Sequence, residues 1–241
     1  MLGPGDVVAA VLPLRSADRS LLAVLAERGV VFYPPLSAQL MTRSKALQAM
    51  VLKEFMVPET HVVHARRDLV KVLARFQQQG ISRLITKTDG SDCGLGINLW
   101  SSPEELFNAV SWRTGCGPSP YPFVVQPFVE GAKDIRVILI GDYKEAYERI
   151  CPYSFRNNMH FGGSSSPAEL DGKQEMLCRT VMEKARFPYA HIDLLVSPDG
   201  KCFLSEIALN GGLRGARISA TECREKKERL RDQFIGALGP C

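Results

Sequence analysis

Residues 189–209 read Tyr-Ala-His-Ile-Asp-Leu-Leu-Val-Ser-Pro-Asp-Gly-Lys-Cys-Phe-Leu-Ser-Glu-Ile-Ala-Leu. Two apolar runs, 189–196 and 202–207, flank Pro198-Asp-Gly-Lys201, which is a hairpin pattern. Each run carries one acid among apolar residues, Asp193 and Glu206. A carboxylate in such surroundings is costly unless it is paired or bound to a metal. On adjacent strands of one hairpin the two can face the same side. Two hard oxygen ligands then suit Mg²⁺ carrying substrate phosphates. The alternative is two carboxylates with separate partners.

A second hairpin is predicted just upstream, with Ile135–Ile140 and Lys144–Ile150 around Gly141-Asp142. It places Arg136 and Arg149 on neighbouring strands, close to Asp134. Arginine presents a bidentate fork to phosphate or carboxylate; a solvated sheet face is the alternative. A long polar loop, 154–167, carries Arg156, Asn157 and Asn158. Farther upstream, Lys87 ends a predicted strand, 83–87, and is followed by Gly90, Gly94 and Gly96 before a strand at 97–100. Glycines let backbone N–H groups close on phosphate oxygens, and a lysine neutralises them. No Gly-Lys-Ser/Thr opens a helix here, so this is not a Walker A loop; a plain glycine-rich turn is equally compatible. Phe123–Val129 reads as a strand interrupted by Pro127, hence at a sheet edge or a hinge.

The remaining elements follow from periodicity and stop signals. Helices are expected at 21–27, 44–55, 69–79, 103–112, 173–185 and 222–238, with Ser102 as the N-cap of the fourth. Strands are expected at 7–12, 30–33 and 61–63. The first two strands flank the first helix as a short βαβ-like start. A linker is read at 115–122. His160 and His191 lack partners at metal-ligand spacing and read as structural. Trp100 and Trp112 read as core. The fold class is α+β with two lobes.

Across 241 residues, 30 basic and 26 acidic side chains leave a net charge of +4. That excess suits a small anionic ligand and is too diffuse for a nucleic-acid surface. No apolar run reaches about 18 residues, so no membrane span is predicted. Met1 to Asp6 lacks a basic segment leading into an apolar one, and a cytoplasmic location is expected. Seven scattered cysteines without Cys-x-x-Cys read as reduced thiols. Gly-x-Ser-x-Gly and His-Glu-x-x-His are absent, which removes serine-hydrolase and zincin chemistry.

These pieces stand in an order that resembles the ATP-grasp superfamily, in particular the RimK-like carboxylate–amine ligases and the relatives of glutathione synthetase. Val124-Val-Gln-Pro-Phe-Val-Glu-Gly-Ala-Lys-Asp-Ile-Arg136 resembles their hinge and Asp-Ile-Arg strand. Ser154-Phe-Arg-Asn-Asn-Met-His-Phe-Gly-Gly163 resembles their Phe-Arg-x-Asn-x-His-x-Gly-Gly loop. Asp193 and Glu206 follow at the matching distances. The resemblance runs from about residue 6 to 215.

It implies two α/β lobes clasping ATP: a truncated N-terminal segment (1–41), a small lobe with the glycine loop (42–125) and a large lobe (126–241). It implies ATP and Mg²⁺ as cofactors, with Mn²⁺ a possible substitute. Lys45, Lys87, Ser91, Gly94 and Gly96 would surround the phosphates. Gln126, Pro127, Phe128 and Glu130 would form the adenine hinge, with the Pro127 carbonyl and Phe128 N–H toward the base. Asp134 would sit near the ribose, and Arg156, Asn157 and Asn158 near the phosphates. Arg149 and Arg136 would act on the reacting groups, and Asp193, Glu206 and Asn210 would hold the metal.

The implied reaction joins a carboxylate to an amine through an acyl phosphate. Its partners would be small-molecule or peptide substrates, with no nucleic acid or membrane, in a homo-oligomer. The sequence departs from the family at Ala208, where Glu-x-Asn is usual, and in its short N-terminal segment. An impaired nucleotide-binding partner protein and a phosphotransferase therefore stand as alternatives.

Overall fold

The computed structural model describes residues 2–14, 16–91, 94–116, 120–157 and 162–239. Asn158 and His160 lie outside the described residues. The chain begins with two short parallel strands, β1 (Val7–Val8) and β2 (Val31–Phe32), joined by helix α1 (Ser16–Glu27). Helices α2 (Leu36–Thr42) and α3 (Lys45–Val51) follow, where a single helix over 44–55 is expected. The Ser44 hydroxyl accepts the Leu47 N–H and starts α3 anew, an N-cap that separates the two helices. A 3₁₀ turn occupies 53–55.

Next come β3 (His61–Val63), α4 (Arg66–Gln78), β4 (Leu84–Thr88), β5 (Ile97–Trp100), α5 (Pro103–Cys116) and β6 (Phe123–Pro127). Their strands form an antiparallel sheet in the order β3-β6-β4-β5. Helices α4 and α5 cover it, burying Leu69, Leu73, Phe76 and Leu106 against Val63, Leu84 and Val125. Strand β6 is interior, which corrects the edge or hinge position expected from Pro127. The proline is the last residue of the strand, where a missing N–H costs no interior ladder bond. Trp112 is 77% exposed, against the core position expected for it. Trp100 packs against the sheet core, and its indole N–H donates to Thr86 Oγ1.

The larger sheet comprises β7 (Lys133–Ile140), β8 (Tyr143–Ile150), β9 (Ser164–Pro167), β10 (Tyr189–Val196) and β11 (Cys202–Ala208), in the order β11-β10-β7-β8-β9. The edge strand β9 falls where only loop is expected; its four residues pair with Tyr147–Ile150. Helices α6 (Gly172–Ala185) and α7 (Ala220–Ala237) carry capping boxes at Asp171/Gln174 and Ser219/Glu222. Ile138, Ile192, Leu194 and Ile207 are fully buried with Val181 and Ala185 of α6.

The open edge of β11 is covered by a side chain. Gln48 of α3 donates to the Ile207 carbonyl at 2.9 Å and accepts the Ile207 N–H at 3.0 Å. The amide of Gln48 thus takes the place of a neighbouring strand and docks α3 on the large sheet.

Candidate active site

One row of side chains crosses the large sheet. Glu206 on β11 lies directly opposite Asp193 on β10, and Asp193 directly opposite Arg136 on β7. Asp134 and Arg149 form a second opposed pair on β7 and β8. Period-two geometry turns Asp134 and Arg136 to one face, so the two rows meet. Arg136 grips Asp193 with both arms, at 2.7 and 2.8 Å. Arg149 reaches Asp134 at 2.5 Å and Asp193 at 2.9 Å through one nitrogen.

Burial alone would raise the Asp193 carboxyl, but the two guanidiniums outweigh it and hold it well below the usual carboxylate range. Asp134 faces the opposite outcome. Burial, aided by the Asp193 charge, pushes it up to about 6 against the pull of Arg149.

The hairpin β10/β11 carries a bulge. Asp193 pairs with Glu206, yet Leu194 pairs with Leu204, so Ser205 has no ladder partner. A bulge beside a functional site re-aims the groups around it. Here the Ser205 carbonyl and hydroxyl accept the Lys87 ammonium at 3.1 and 3.2 Å. Lys87 therefore spans from the small sheet to the large one. It is 6% exposed, and burial lowers its pKa to about 8, only partly opposed by Glu206. Lys45, at the start of α3, likewise bridges the lobes. It donates to the Ser91 carbonyl at 2.6 Å and pairs with Glu206 at 3.2 Å.

These groups line a cleft of about 630 Å³ between the sheets. Among the described residues, seven arginines and lysines face it against three acids, an excess that suits a polyanion. Among the expected residues, Lys45, Lys87, Gly94, Asp134, Arg136, Arg149, Arg156, Asn157, Asp193, Glu206 and Asn210 line it. Arg156 reaches across to the Ile97 carbonyl. Asn157 accepts the Cys151 N–H at 3.1 Å. Gly96 packs tightly on Ser91, where a Cβ would stand 2.5 Å from the serine Cβ.

The hinge residues are arranged differently from expectation. The Phe128 N–H donates to the Arg83 carbonyl at 2.9 Å, extending the β4–β6 ladder, and so is not directed at a base. Glu130 pairs with Arg83, whose guanidinium also lies over the Phe128 ring. Gln126 is buried within β6. The Asn210 amide oxygen accepts Lys227 at 2.7 Å, and Ala208 on the cleft wall offers no metal-binding atom.

Mg²⁺ is satisfied by one or two carboxylates when phosphates and water supply the rest. Asp193 and Glu206 supply two such carboxylates, and each is ion-paired here, Asp193 with Arg136 and Arg149 and Glu206 with Lys45, so a cation would share their oxygens with these partners. Among the described residues no group of three His, Cys, Asp or Glu is placed to hold a metal.

Sequence reasoning passed over Ser205 and Arg214 and read His191 as structural; all three lie on the cleft wall. His191 stands two residues before Asp193 on one strand face, which was its available signal. Burial first, then Lys227 and Arg136, lowers its pKa to about 3, so the ring is neutral.

A family model described as a RimK-like ATP-grasp domain matches residues 37–226. Among curated proteins, a probable alpha-L-glutamate ligase of Histophilus somni is 29% identical over 182 residues, covering 73% of this chain and 58% of the relative. One from Thioalkalivibrio sulfidiphilus is 25% identical over 180 residues, with the same coverage. The matched part of the chain thus spans 58% of the length of these relatives. Among solved structures, the D-alanine-D-alanine ligase from Coxiella burnetii matches 96% of this chain and 72% of its own, at TM-score 0.64 and 16% identity. D-cycloserine synthetase DcsG matches 89% and 80%, at TM-score 0.62 and 17% identity. At such identities the structures speak for the fold.

Proposed function

The chain belongs to the RimK-like ATP-grasp domain family, and from that premise we propose that it is an ATP-dependent ligase joining a carboxylate to an amine. The observation that carries this reading is the convergence of Lys45, Lys87, Arg136 and Arg149 on the opposed carboxylates Asp193 and Glu206 in one cleft. In the proposed reaction, a substrate carboxylate oxygen attacks the γ-phosphorus of ATP and ADP leaves. The amine nitrogen then attacks the acyl carbon, inorganic phosphate leaves, and the nitrogen loses a proton to solvent.

The proposed reaction needs no covalent nucleophile from the protein, whose contribution is position and charge. Lys87 and Lys45, each bridging the two sheets, close the lobes on the phosphates. Arg136 and Arg149 are held rigid by Asp193 and Asp134 and present fixed positive charge to the transferring phosphoryl group. Mg²⁺ held by Asp193 and Glu206 would neutralise phosphate charge. The glutamate named in the relatives makes L-glutamate the first amine to test.

The test is mass spectrometry of products from Mg²⁺, ATP, L-glutamate and a panel of carboxylates. The expected result is an amide formed in step with ADP. ADP release that never yields an amide would sink the proposal.

A second reading, a nucleotide-binding protein without turnover, is favoured by Ala208 and by the Asn210–Lys227 bond. It expects ATP-analogue binding with no ADP formed. Ala208→Asn, which adds an amide oxygen two residues from Glu206, would then create Mg²⁺-dependent ADP formation where the parent has none.

A further inference from the structure

Strand β11 carries one residue more than its pairing with β10 requires. Leu204 lies opposite Leu194 and Glu206 opposite Asp193, so Ser205 stands outside the ladder. Asp193 and Leu194 are consecutive and point to opposite faces of the sheet, and so therefore do Glu206 and Leu204. Strict alternation would have put 204 and 206 on one face. The extra residue resets the phase: Ser205 and Glu206 both line the cleft, while Leu204 is buried in the core. Just beyond the bulge, the Gln48 amide holds the N–H and the carbonyl of Ile207, so the open edge of the strand is fixed there.

The bulge turns two acceptors of one residue toward one cation. The Ser205 carbonyl and hydroxyl accept the Lys87 ammonium at 3.1 and 3.2 Å. Lys87 belongs to β4, in the other sheet, and is 6% exposed. An ammonium has three protons to donate. Ser205 takes two of them, and among the described residues no other group accepts from Lys87. Lys45 nearby is paired with a carboxylate, Glu206, at 3.2 Å; Lys87 has no ion pair among the described residues. Its two acceptors are neutral, so they fix the position of the charge without cancelling it. A lysine stem is flexible, and a cation already held in place loses less freedom when an anion arrives.

We infer that Ser205 is a positioning residue for phosphate recognition: through its bulged carbonyl and hydroxyl it holds the Lys87 ammonium of the small sheet against the large one, with the third N–H left for a phosphate oxygen. This role rests on the proposed binding of ATP and is independent of the joining reaction. Ser205 acts through Lys87 and through no other group.

The experiment is calorimetric titration of the full chain with Mg²⁺ and a non-hydrolysable ATP analogue. It compares the parent, Ser205→Ala, Ser205→Thr, Lys87→Met and the double variant of Ser205→Ala with Lys87→Met. Ser205→Ala keeps the carbonyl and removes the hydroxyl, and it is expected to weaken analogue binding about fivefold or more, the effect of losing one hydrogen bond to a charged group. Ser205→Thr keeps the hydroxyl on a residue that strands favour and restores the parent affinity. In Lys87→Met the alanine change has no further effect, because the hydroxyl then has no cation to hold. A merely structural role for Ser205 would lower affinity by the same factor in both backgrounds. Ser205→Cys keeps the shape but offers a weak acceptor; it follows the alanine variant and takes its place if that variant does not fold.

Equal affinities for parent and Ser205→Ala, tighter binding by that variant, or equal losses in the two backgrounds overturn the positioning role and leave nucleotide binding standing. A parent that does not bind the analogue defeats both this role and the ATP reading. A parent that binds it yet forms no amide defeats the ligase reading alone.

Discussion

At the scale of single residues, the cleft sets buried charges against one another, and their removal has unequal consequences. Lys87 is a buried ammonium held by neutral groups. Its value of about 8 against the ordinary 10.5 means that the unfolded chain keeps a proton between those pH values that the folded chain has lost. Stability attributable to this group therefore rises with pH across that window. Binding of a polyphosphate needs the charge and runs the other way, weakening as pH climbs through 8. Lys87→Met is expected to preserve or raise the melting temperature while lowering ATP-analogue affinity about tenfold or more. Calorimetric titration at pH 7 and 9 checks both statements, and equal affinities for parent and variant would refute them.

The two cleft carboxylates also separate. Asp193 compensates two arginines, so Asp193→Asn leaves buried positive charge unopposed and costs about 3–5 kcal/mol in urea denaturation. Glu206 is 30% exposed with Lys45 as partner. Glu206→Gln is expected to stay within about 1 kcal/mol of the parent while losing the Mg²⁺ dependence of nucleotide binding.

At the scale of elements, hydrogen-bonding side chains do work that pattern alone does not reveal. Gln48 completes the edge of β11 and so fixes the distance between Lys45 on α3 and Glu206. Gln48→Leu keeps the volume but leaves the Ile207 N–H and C=O unpaired. The expected loss is about 3 kcal/mol, read from the urea midpoint, together with a weaker response to nucleotide. A loss below about 1 kcal/mol would show that water replaces the amide there. Helix α7 starts at the Ser219 capping box, and Ser219→Ala is expected to cost about 1 kcal/mol.

The hairpins β7/β8 and β10/β11 were readable because turn residues and long apolar runs coincide. Strand β9 was not, because Ser164, Ser165 and Ser166 pair with β8 at an edge through backbone groups that any residue supplies. Helix α2 was hidden because it begins directly after Pro34-Pro35, where a reading by stop signals expects loop.

At the scale of the whole molecule, the N-terminal βαβ segment and the last helix meet. Tyr33 at the end of β2 stacks on Phe234 of α7, with ring centroids 4.7 Å apart. A double-mutant cycle with Tyr33→Leu and Phe234→Leu is expected to show a coupling of about 0.5–1.5 kcal/mol; additive effects would mean that the segment docks without α7.

The residues alone determined the α+β class, the two acid-bearing strands, the arginine pair, the glycine loop and the family resemblance. Each depends on neighbours close in sequence or on motif order, which the chain carries by itself. Tertiary structure decided what those residues touch. It paired Asp193 with two arginines, aimed Ser205 at Lys87 through a bulge, drew the Phe128 N–H into a ladder and the Asn210 oxygen to Lys227, and buried the His191 ring without a hydrogen-bond partner among the described residues. Such pairings join positions as far apart as Lys45 and Glu206, and their geometry is set by how sheets and helices pack, a long-range outcome that no local pattern encodes.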